Sequence, residues 1–212
     1  FAPDGRDRDE VLAEIRGQFK VPEQFPTPVT AAAQAAARRP VDRHTDRTAM
    51  PFVTLDPTSS TDLDQALAIE TAGADLLLHY AIADVGWFVG TGDPLDAEAW
   101  QRGETTYLPD GKAGLYPPQL AEAAASLLPD GSRPAVIFTT RVAPDGAVRL
   151  EGAERALIRS RAKLAYETVR DDDLPAGFVE LARRIAAAED HRGAARVDPP
   201  EQEVEHNGDG HF

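Results

Sequence analysis

The sequence contains no cysteine, and this absence removes several classes of chemistry at once. Disulfide frameworks, thiol nucleophiles and cysteine-ligated zinc sites are all excluded. No apolar run approaches the ~20 residues that span a bilayer, and the N-terminus has no apolar signal core. We therefore expect a soluble, cytoplasmic protein that has no membrane partner.

Positive charge is also scarce. The chain has 22 Lys and Arg against 36 Asp and Glu, and residues 50–150 hold 5 basic and 14 acidic side chains. A general polyanion binder has a basic stripe, which is missing here. If the chain binds nucleic acid, metal ions or another part of the protein must offset its carboxylates. The simpler alternative is that the acidity only keeps the protein in solution.

The pattern of apolar residues predicts an α+β domain with a mixed sheet flanked by helices, because strands and helices alternate without a regular βαβ rhythm. We expect a helical arm and linker over residues 1–49 and the main domain over residues 50–212. Strands are predicted at 51–55, 66–70 and within 76–89, a hairpin at 133–158, and one more strand near the C-terminus. Helices are predicted at 7–19, 29–39, 93–104, 117–129, 160–169 and 174–192.

Three aspartates stand close together after the first of these strands. Asp56 follows the apolar run FVTL, and Asp62 and Asp64 come after the short polar loop PTSST. Carboxylates two residues apart on an extended backbone point to the same face, and the loop can fold Asp56 back toward them. The segment contains no Lys or Arg, so a cation must neutralise the cluster. Oxygen ligands of this kind suit Mg²⁺ or Mn²⁺ and phosphodiester hydrolysis.

Other interpretations of these residues need weighing. Asp, Ser and Thr also cluster in ordinary surface turns, which is an open alternative. A calcium loop starting at Asp62 is excluded, since Ala66 and Leu67 stand where an EF-hand needs an oxygen ligand and a glycine. The five histidines show no metal-ligand spacing, and we expect polar surface positions for them, except for His79 in a core strand.

The acidic segment resembles the signature of the ribonuclease II / ribonuclease R family catalytic domain, the RNB domain. Further segments resemble that family in the same order along residues 50–205, which makes the likeness specific. These segments are Asp56–Leu67, His79–Val85, Gly92–Ala99, Thr105–Pro109, Leu115–Leu120, Ser126–Leu127, Arg133–Ala135, Arg161–Tyr166 as a helix after the hairpin, Arg192–Ala194 and Pro200–Glu201.

The resemblance implies a 3′→5′ exoribonuclease that uses Mg²⁺, with Mn²⁺ as an alternative, to hydrolyse single-stranded RNA to nucleoside 5′-monophosphates. It implies metal ligation by Asp56, Asp62 and Asp64, with Asp64 also assigned to the reaction. It further implies that Tyr107 stacks on terminal bases and that Tyr166 lies along the 3′-end pocket. Stacking on aromatic rings suits binding without sequence preference. We expect a monomer.

Two departures from the family pattern support an alternative function. Gln65 stands where the family usually has a fourth aspartate, and an amide oxygen brings no charge to a metal. The chain also ends at Phe212, before the family's arginine-rich segment, so we expect a fragment. The alternative is a catalytically weak or inactive RNB-like protein that binds RNA or a protein partner.

Overall fold

A mixed sheet of seven strands forms the centre of the computed structural model, which describes residues 8–108 and 111–195. A separate two-stranded hairpin lies beside it. The strands are β1 (Thr45–Asp46), β2 (Phe52–Asp56), β3 (Gln65–Ala72), β4 (Asp75–Ala83), β5 (Thr106–Leu108), β6 (Gly111–Ala113), β7 (Arg133–Val142), β8 (Val148–Ile158) and β9 (Ser160–Ala165). The helices are α1 (Arg8–Gln18), α2 (Thr27–Ala37), α3 (Pro94–Arg102) and α4 (Phe178–Arg192), with short helical turns at Val85–Trp87, Leu120–Ala124 and Asp171–Asp173.

The large sheet has the order β1-β8-β7-β4-β3-β2-β9. Adjacent strands from β8 to β2 in this order run antiparallel to each other. At the two edges, β1 runs parallel to β8 and β9 runs parallel to β2. The predicted α+β class with a mixed sheet is therefore confirmed. Two of the helices, α1 and α2, precede β2, as the sequence predicted.

The burial of apolar side chains in separate clusters explains why these elements form. One cluster contains Phe52, Leu63, Ile137 and Ile158 together with several buried alanines. A second cluster joins α2 to α3 and to the turn after β4, and it includes the buried Phe88. No helix within residues 8–108 and 111–195 has the length and apolar content needed to cross a membrane.

The predicted hairpin at 133–158 is present as β7 and β8. Its turn closes through Ala143 and Ala147, whose backbone groups bond at 2.9 Å, and Gly146 adopts a left-handed φ of 81°. Helix α4 packs against this turn, since the buried Arg184 donates to the Val142 carbonyl at 3.0 Å.

The prediction of a helix at 160–169 is wrong, because this segment forms strand β9. Its residues pair in parallel with β2, from Ala162 opposite Val53 to Ala165 opposite Asp56. The composition SRAKLA favours a helix locally, but pairing with the free edge of β2 overrides that weak preference. Strand β9 therefore borders the acidic segment directly.

The helix predicted at 117–129 is also shorter than expected. Only a π turn at Leu120–Ala124 forms after two prolines, and the chain then leaves the helical path. The reason is a set of bonds from Ser126 and Leu127 to the loop before β3, which replace the next helical turn. A π turn of this kind is frequent at functional sites.

The N-terminal segment contains two further differences from expectation. Phe19, the last residue of the helix predicted at 7–19, follows the end of α1 and is 72% exposed. The segment 41–50, expected as a surface linker, contributes β1 to the sheet. The strand expected near the C-terminus lies outside the described residues.

Candidate active site

The acidic loop, residues 57–64, joins β2 to β3 and is held by buried contacts at its end. Leu63 is fully buried, its N–H donates to Ser126 Oγ at 3.0 Å, and its carbonyl accepts from the Leu127 N–H at 2.7 Å. The Ser126 hydroxyl donates in turn to the Thr61 carbonyl at 2.7 Å. Asp62 and Asp64 therefore flank a buried anchor.

Asp56, the last residue of β2, carries an unusual carboxylate. Its Oδ2 atom is buried and has no hydrogen-bond partner among the described residues. Burial, followed by repulsion from Asp64, raises the pKa of the Asp56 carboxyl, and Asp62 adds a smaller effect in the same direction. The structure thus brings the three predicted aspartates within electrostatic range of one another.

Lys163 in β9 fixes the start of the acidic loop. Its ammonium donates to the carbonyl oxygens of Thr58 at 2.7 Å and Ser60 at 2.5 Å. The same charge opposes the rise in the pKa of Asp56. Sequence reasoning missed this role because it treated residues 160–169 as a helix.

Lys112 in β6 is a second cation at the site. Its Nζ atom lies 2.8 Å from Asp62 Oδ2 and 3.1 Å from Glu122 Oε1. The Thr61 hydroxyl donates to Glu122 Oε2 at 3.0 Å, which joins Glu122 to the acidic loop. Two of the three lysines in the chain are therefore at this site, although the acidic segment itself contains none.

Gln65, which stands where the family usually has an aspartate, already has a hydrogen-bond partner. The Tyr80 hydroxyl donates to Gln65 Oε1, so the amide oxygen is already engaged. Burial, together with the charge of Asp64, raises the pKa of Tyr80, which keeps the hydroxyl protonated as a donor. Tyr80 was not predicted, although it lies on the same face of β4 as Ile82, which is directly opposite Gln65.

The three carboxylates of Asp56, Asp62 and Asp64 suit a divalent cation only in part in the observed conformation. No group of three or more His, Asp or Glu side chains within residues 8–108 and 111–195 is arranged to hold a metal ion. Asp62 is engaged by Lys112, which leaves Asp56 and Asp64. The buried, unpaired Oδ2 of Asp56 and the mutual repulsion of these carboxylates nevertheless fit a hard cation bound by oxygen.

The two predicted RNA-binding tyrosines are both exposed near the aspartates. Tyr107 lies in β5, is 75% exposed, and lines a groove of about 690 Å³ together with Asp56, Asp62 and Asp64. Tyr166 follows β9 and is 62% exposed, and its N–H donates to the Asp56 carbonyl at 3.3 Å. Tyr107 is the middle residue of β5 in the small hairpin.

Arg102 connects the N-terminal segment to this groove. Its guanidinium donates to the carbonyls of Gly114 at 3.1 Å and Gln24 at 2.9 Å, and lies 3.7 Å from the centre of the Phe25 ring. Glu98 accepts a further bond from it at 2.8 Å. The arm and the small hairpin are thus joined through one side chain.

The histidine predictions are partly confirmed. His79 lies in β4, is nearly buried, and bonds Thr139 Oγ1 at 3.0 Å. The prediction of a polar surface position is wrong for His44, because its side chain is fully buried. Its ring pairs with the buried Asp84 carboxylate at 2.9 Å. His206 and His211 lie outside the described residues.

A sheet that presents an acidic loop beside exposed tyrosines is the arrangement expected of an RNB catalytic domain. The family model for the RNB domain matches residues 44–172, which is more than half of the chain. This chain therefore belongs to the RNB domain family.

Curated relatives extend this assignment. The chain is 41% identical to Exoribonuclease 2 of Erwinia tasmaniensis over 128 residues, which cover 59% of this chain and 20% of that protein. It is 39% identical to Exoribonuclease 2 of Edwardsiella piscicida over 157 residues, 68% of this chain and 24% of that protein. The chain thus spans about a fifth to a quarter of the length of these relatives.

Solved structures share the fold. Mycoplasma genitalium RNase R in complex with ribose-methylated single-stranded RNA matches with a TM-score of 0.69 and 24% identity, covering 84% of this chain and 29% of that one. Yeast Ssd1, a pseudonuclease, matches with a TM-score of 0.62 and 18% identity, covering 88% and 25%. Because both a nuclease and a pseudonuclease have this fold, the fold alone does not decide the activity.

Proposed function

We propose that this chain forms the acidic part of a 3′→5′ exoribonuclease that hydrolyses single-stranded RNA to nucleoside 5′-monophosphates. The observation that carries the proposal is the Asp56 carboxylate, whose buried Oδ2 has no partner while Asp64 and Asp62 repel it. A protein keeps such an unfavourable group where a ligand satisfies it. The exoribonuclease relatives indicate which ligand and reaction to consider.

A divalent metal is the ligand that we propose, since the buried Asp56 Oδ2 has no partner among the described residues and carboxylate oxygens suit such an ion. Asp56, Asp64 and Asp62 would hold it, with Mg²⁺ as the natural ion and Mn²⁺ as a substitute. When bound, such an ion activates water and stabilises the leaving oxygen of a phosphodiester. Among these residues we assign Asp64 to the reaction, because its carboxylate is the more exposed partner of Asp56.

The remaining side chains bind and orient the RNA in this proposal. Tyr107 offers an exposed ring along the groove that the aspartates line, and we propose that terminal bases stack on it. Tyr166 is attached to the Asp56 backbone, so we place it beside the terminal nucleotide at the 3′ end. Lys163 holds the acidic loop in register through two carbonyl groups. We propose a cytoplasmic monomer acting on single-stranded RNA.

A second function is a binding protein with weak or no catalysis. Two observations favour it: Tyr80 occupies the amide oxygen of Gln65, and Lys112 neutralises Asp62. The first leaves one neutral oxygen fewer for a metal, and the second reduces the negative charge available to it. The fold likeness to a pseudonuclease is compatible with this alternative.

One experiment separates the two functions. The protein at its natural length is incubated with 5′-labelled single-stranded RNA, with Mg²⁺ in one series and with chelator in another. The exoribonuclease predicts a metal-dependent ladder that shortens from the 3′ end. Intact RNA in both series, together with a measurable RNA dissociation constant, would support the binding protein instead.

A further inference from the structure

We propose that the Lys112 ammonium acts as an internal cation of the acidic site. It pairs with the Asp62 carboxylate in the absence of metal, and this pair has to break when a divalent cation binds. Lys112 is then a positioning residue that sets the metal affinity of the site and links it to the Tyr107 hairpin. This inference rests on the proposed function, because it takes a divalent cation as the ligand.

The contacts of Lys112 make it a substitute for a metal. Its ammonium bridges two carboxylates from different parts of the chain, at 2.8 Å from Asp62 and 3.1 Å from Glu122. The Lys112 side chain is 29% exposed, so solvent screens these pairs only in part.

Competition with a metal follows from the shared carboxylate. Asp56 and Asp64 alone make a set of two, and no set of three exists within the described parts of the chain. Asp62 completes the set only if its Oδ2 leaves the lysine. A divalent cation therefore has to displace Lys112, and the free energy of that ion pair lowers the observed metal affinity.

The hairpin couples this exchange to the proposed RNA contact. Lys112 lies directly opposite Tyr107 in the β5–β6 pair, so both side chains stand on the same face. A two-stranded hairpin is marginally stable by itself, so its attachments fix its position. The pairs made by Lys112 and the bond from Arg102 to Gly114 are such attachments.

The test measures metal binding without RNA. Mg²⁺ is titrated calorimetrically into the natural-length protein and into Lys112→Met, with hydrogen exchange of the hairpin amides recorded in chelator. Removing the competing charge should tighten Mg²⁺ binding by about 1.5- to fivefold, the range for one partly exposed ion pair. Exchange in the metal-free hairpin should become faster, because two of its attachments are lost.

Two further variants make the result specific. Lys112→Arg keeps the charge and should restore wild-type Mg²⁺ affinity. Arg149→Met removes one positive charge at the exposed pair with Glu151 in β8, and should leave Mg²⁺ affinity unchanged. If Lys112→Met does not fold, as judged by circular dichroism, Lys112→Gln replaces it with the same expected result.

Three outcomes would overturn the proposal. Equal Mg²⁺ affinity in wild type and the neutral variant overturns the role of Lys112 while leaving the proposed function intact. Tightening by Arg149→Met as well would assign the effect to overall charge. No Mg²⁺ binding in any variant overturns both this inference and the metal-dependent function.

Discussion

Replacing Asp56 with Asn should make the metal-free protein more stable, although the same change should impair metal binding. The Asp56 carboxylate is partly buried, its Oδ2 has no partner, and Asp64 and Asp62 repel it. Because its pKa is raised in the folded state, folding favours the protonated form. Stability is therefore lost as the pH rises through the folded pKa, and above that pKa the ionised carboxylate lowers the stability of the folded protein.

The size of the effect follows from the environment of the side chain. Asn has nearly the same volume as Asp and no charge, so the substitution removes the repulsion and leaves the packing intact. Solvent screens a partly exposed group, so we expect a gain of no more than ~1 kcal/mol in the free energy of unfolding. In a domain of this size that gain raises the melting temperature by about 2–4 °C.

Thermal unfolding in chelator and in Mg²⁺ provides the assay. Wild type should be stabilised by Mg²⁺, because a ligand that binds the folded state raises its stability. Asp56→Asn should be more stable than wild type in chelator and should gain less from Mg²⁺. A variant that is less stable than wild type in chelator would refute the argument that Asp56 is under electrostatic strain.

The matched control is the same substitution at a paired carboxylate. Asp84 is 4% exposed and pairs with His44 at 2.9 Å and with Arg155 at 3.1 Å. Removing its charge weakens bonds in a buried cluster, so Asp84→Asn should lose about 1–3 kcal/mol of stability. The opposite signs expected for the two variants distinguish the local environment from a general effect of removing charge.

Three more predictions concern other parts of the molecule. Tyr107→Ala should weaken single-stranded RNA binding by about 5- to 150-fold, the loss of ~1–3 kcal/mol of stacking, as measured by fluorescence anisotropy; an unchanged constant would remove Tyr107 from the RNA site. Gly146→Ala should lower the free energy of unfolding by about 1–3 kcal/mol more than Gly73→Ala. Both glycines have a positive φ, but only a Cβ at position 146 would meet backbone, 2.5 Å from the Arg184 carbonyl oxygen. Equal losses for the two variants in urea unfolding would contradict this. Hydrogen bonds from two arginines lower the pKa of Glu180 from its ordinary 4.5 to about 2. The ionised Glu180 therefore stabilises the folded protein above pH 4.5, and this contribution is lost as the pH falls toward 2. Glu180→Gln should reduce the melting temperature at pH 7 but not at pH 2.

The fold class and the acidic residues were predictable because they depend on local pattern. Alternating apolar residues predict the β7–β8 hairpin, which closes at the turn around Gly146. Strand β9 was not predictable in this way, since its residues have helical preferences and become a strand only by pairing with β2.

The cations of the site were hidden for the same reason. Lys112 is 50 positions from Asp62 in sequence, and Lys163 is still further away; only the fold places them beside the acidic loop. His44 likewise sits in a polar segment that predicts exposure, yet β1 pairing buries it against Asp84. Contacts between distant segments carry no local signal, so the charge balance of the site required the structure.

The role of Asp64 can be measured by comparing wild type and Asp64→Asn at natural length, in Mg²⁺, on 5′-labelled single-stranded RNA. Asn preserves size and hydrogen bonding but removes the charge that we assign to the metal and the reaction. We predict that shortening from the 3′ end slows by roughly 100- to 1000-fold, while RNA binding is retained or tightened because a carboxylate near the phosphates is lost. Near-normal turnover by Asp64→Asn would show that Asp64 has no part in the metal site or in the reaction.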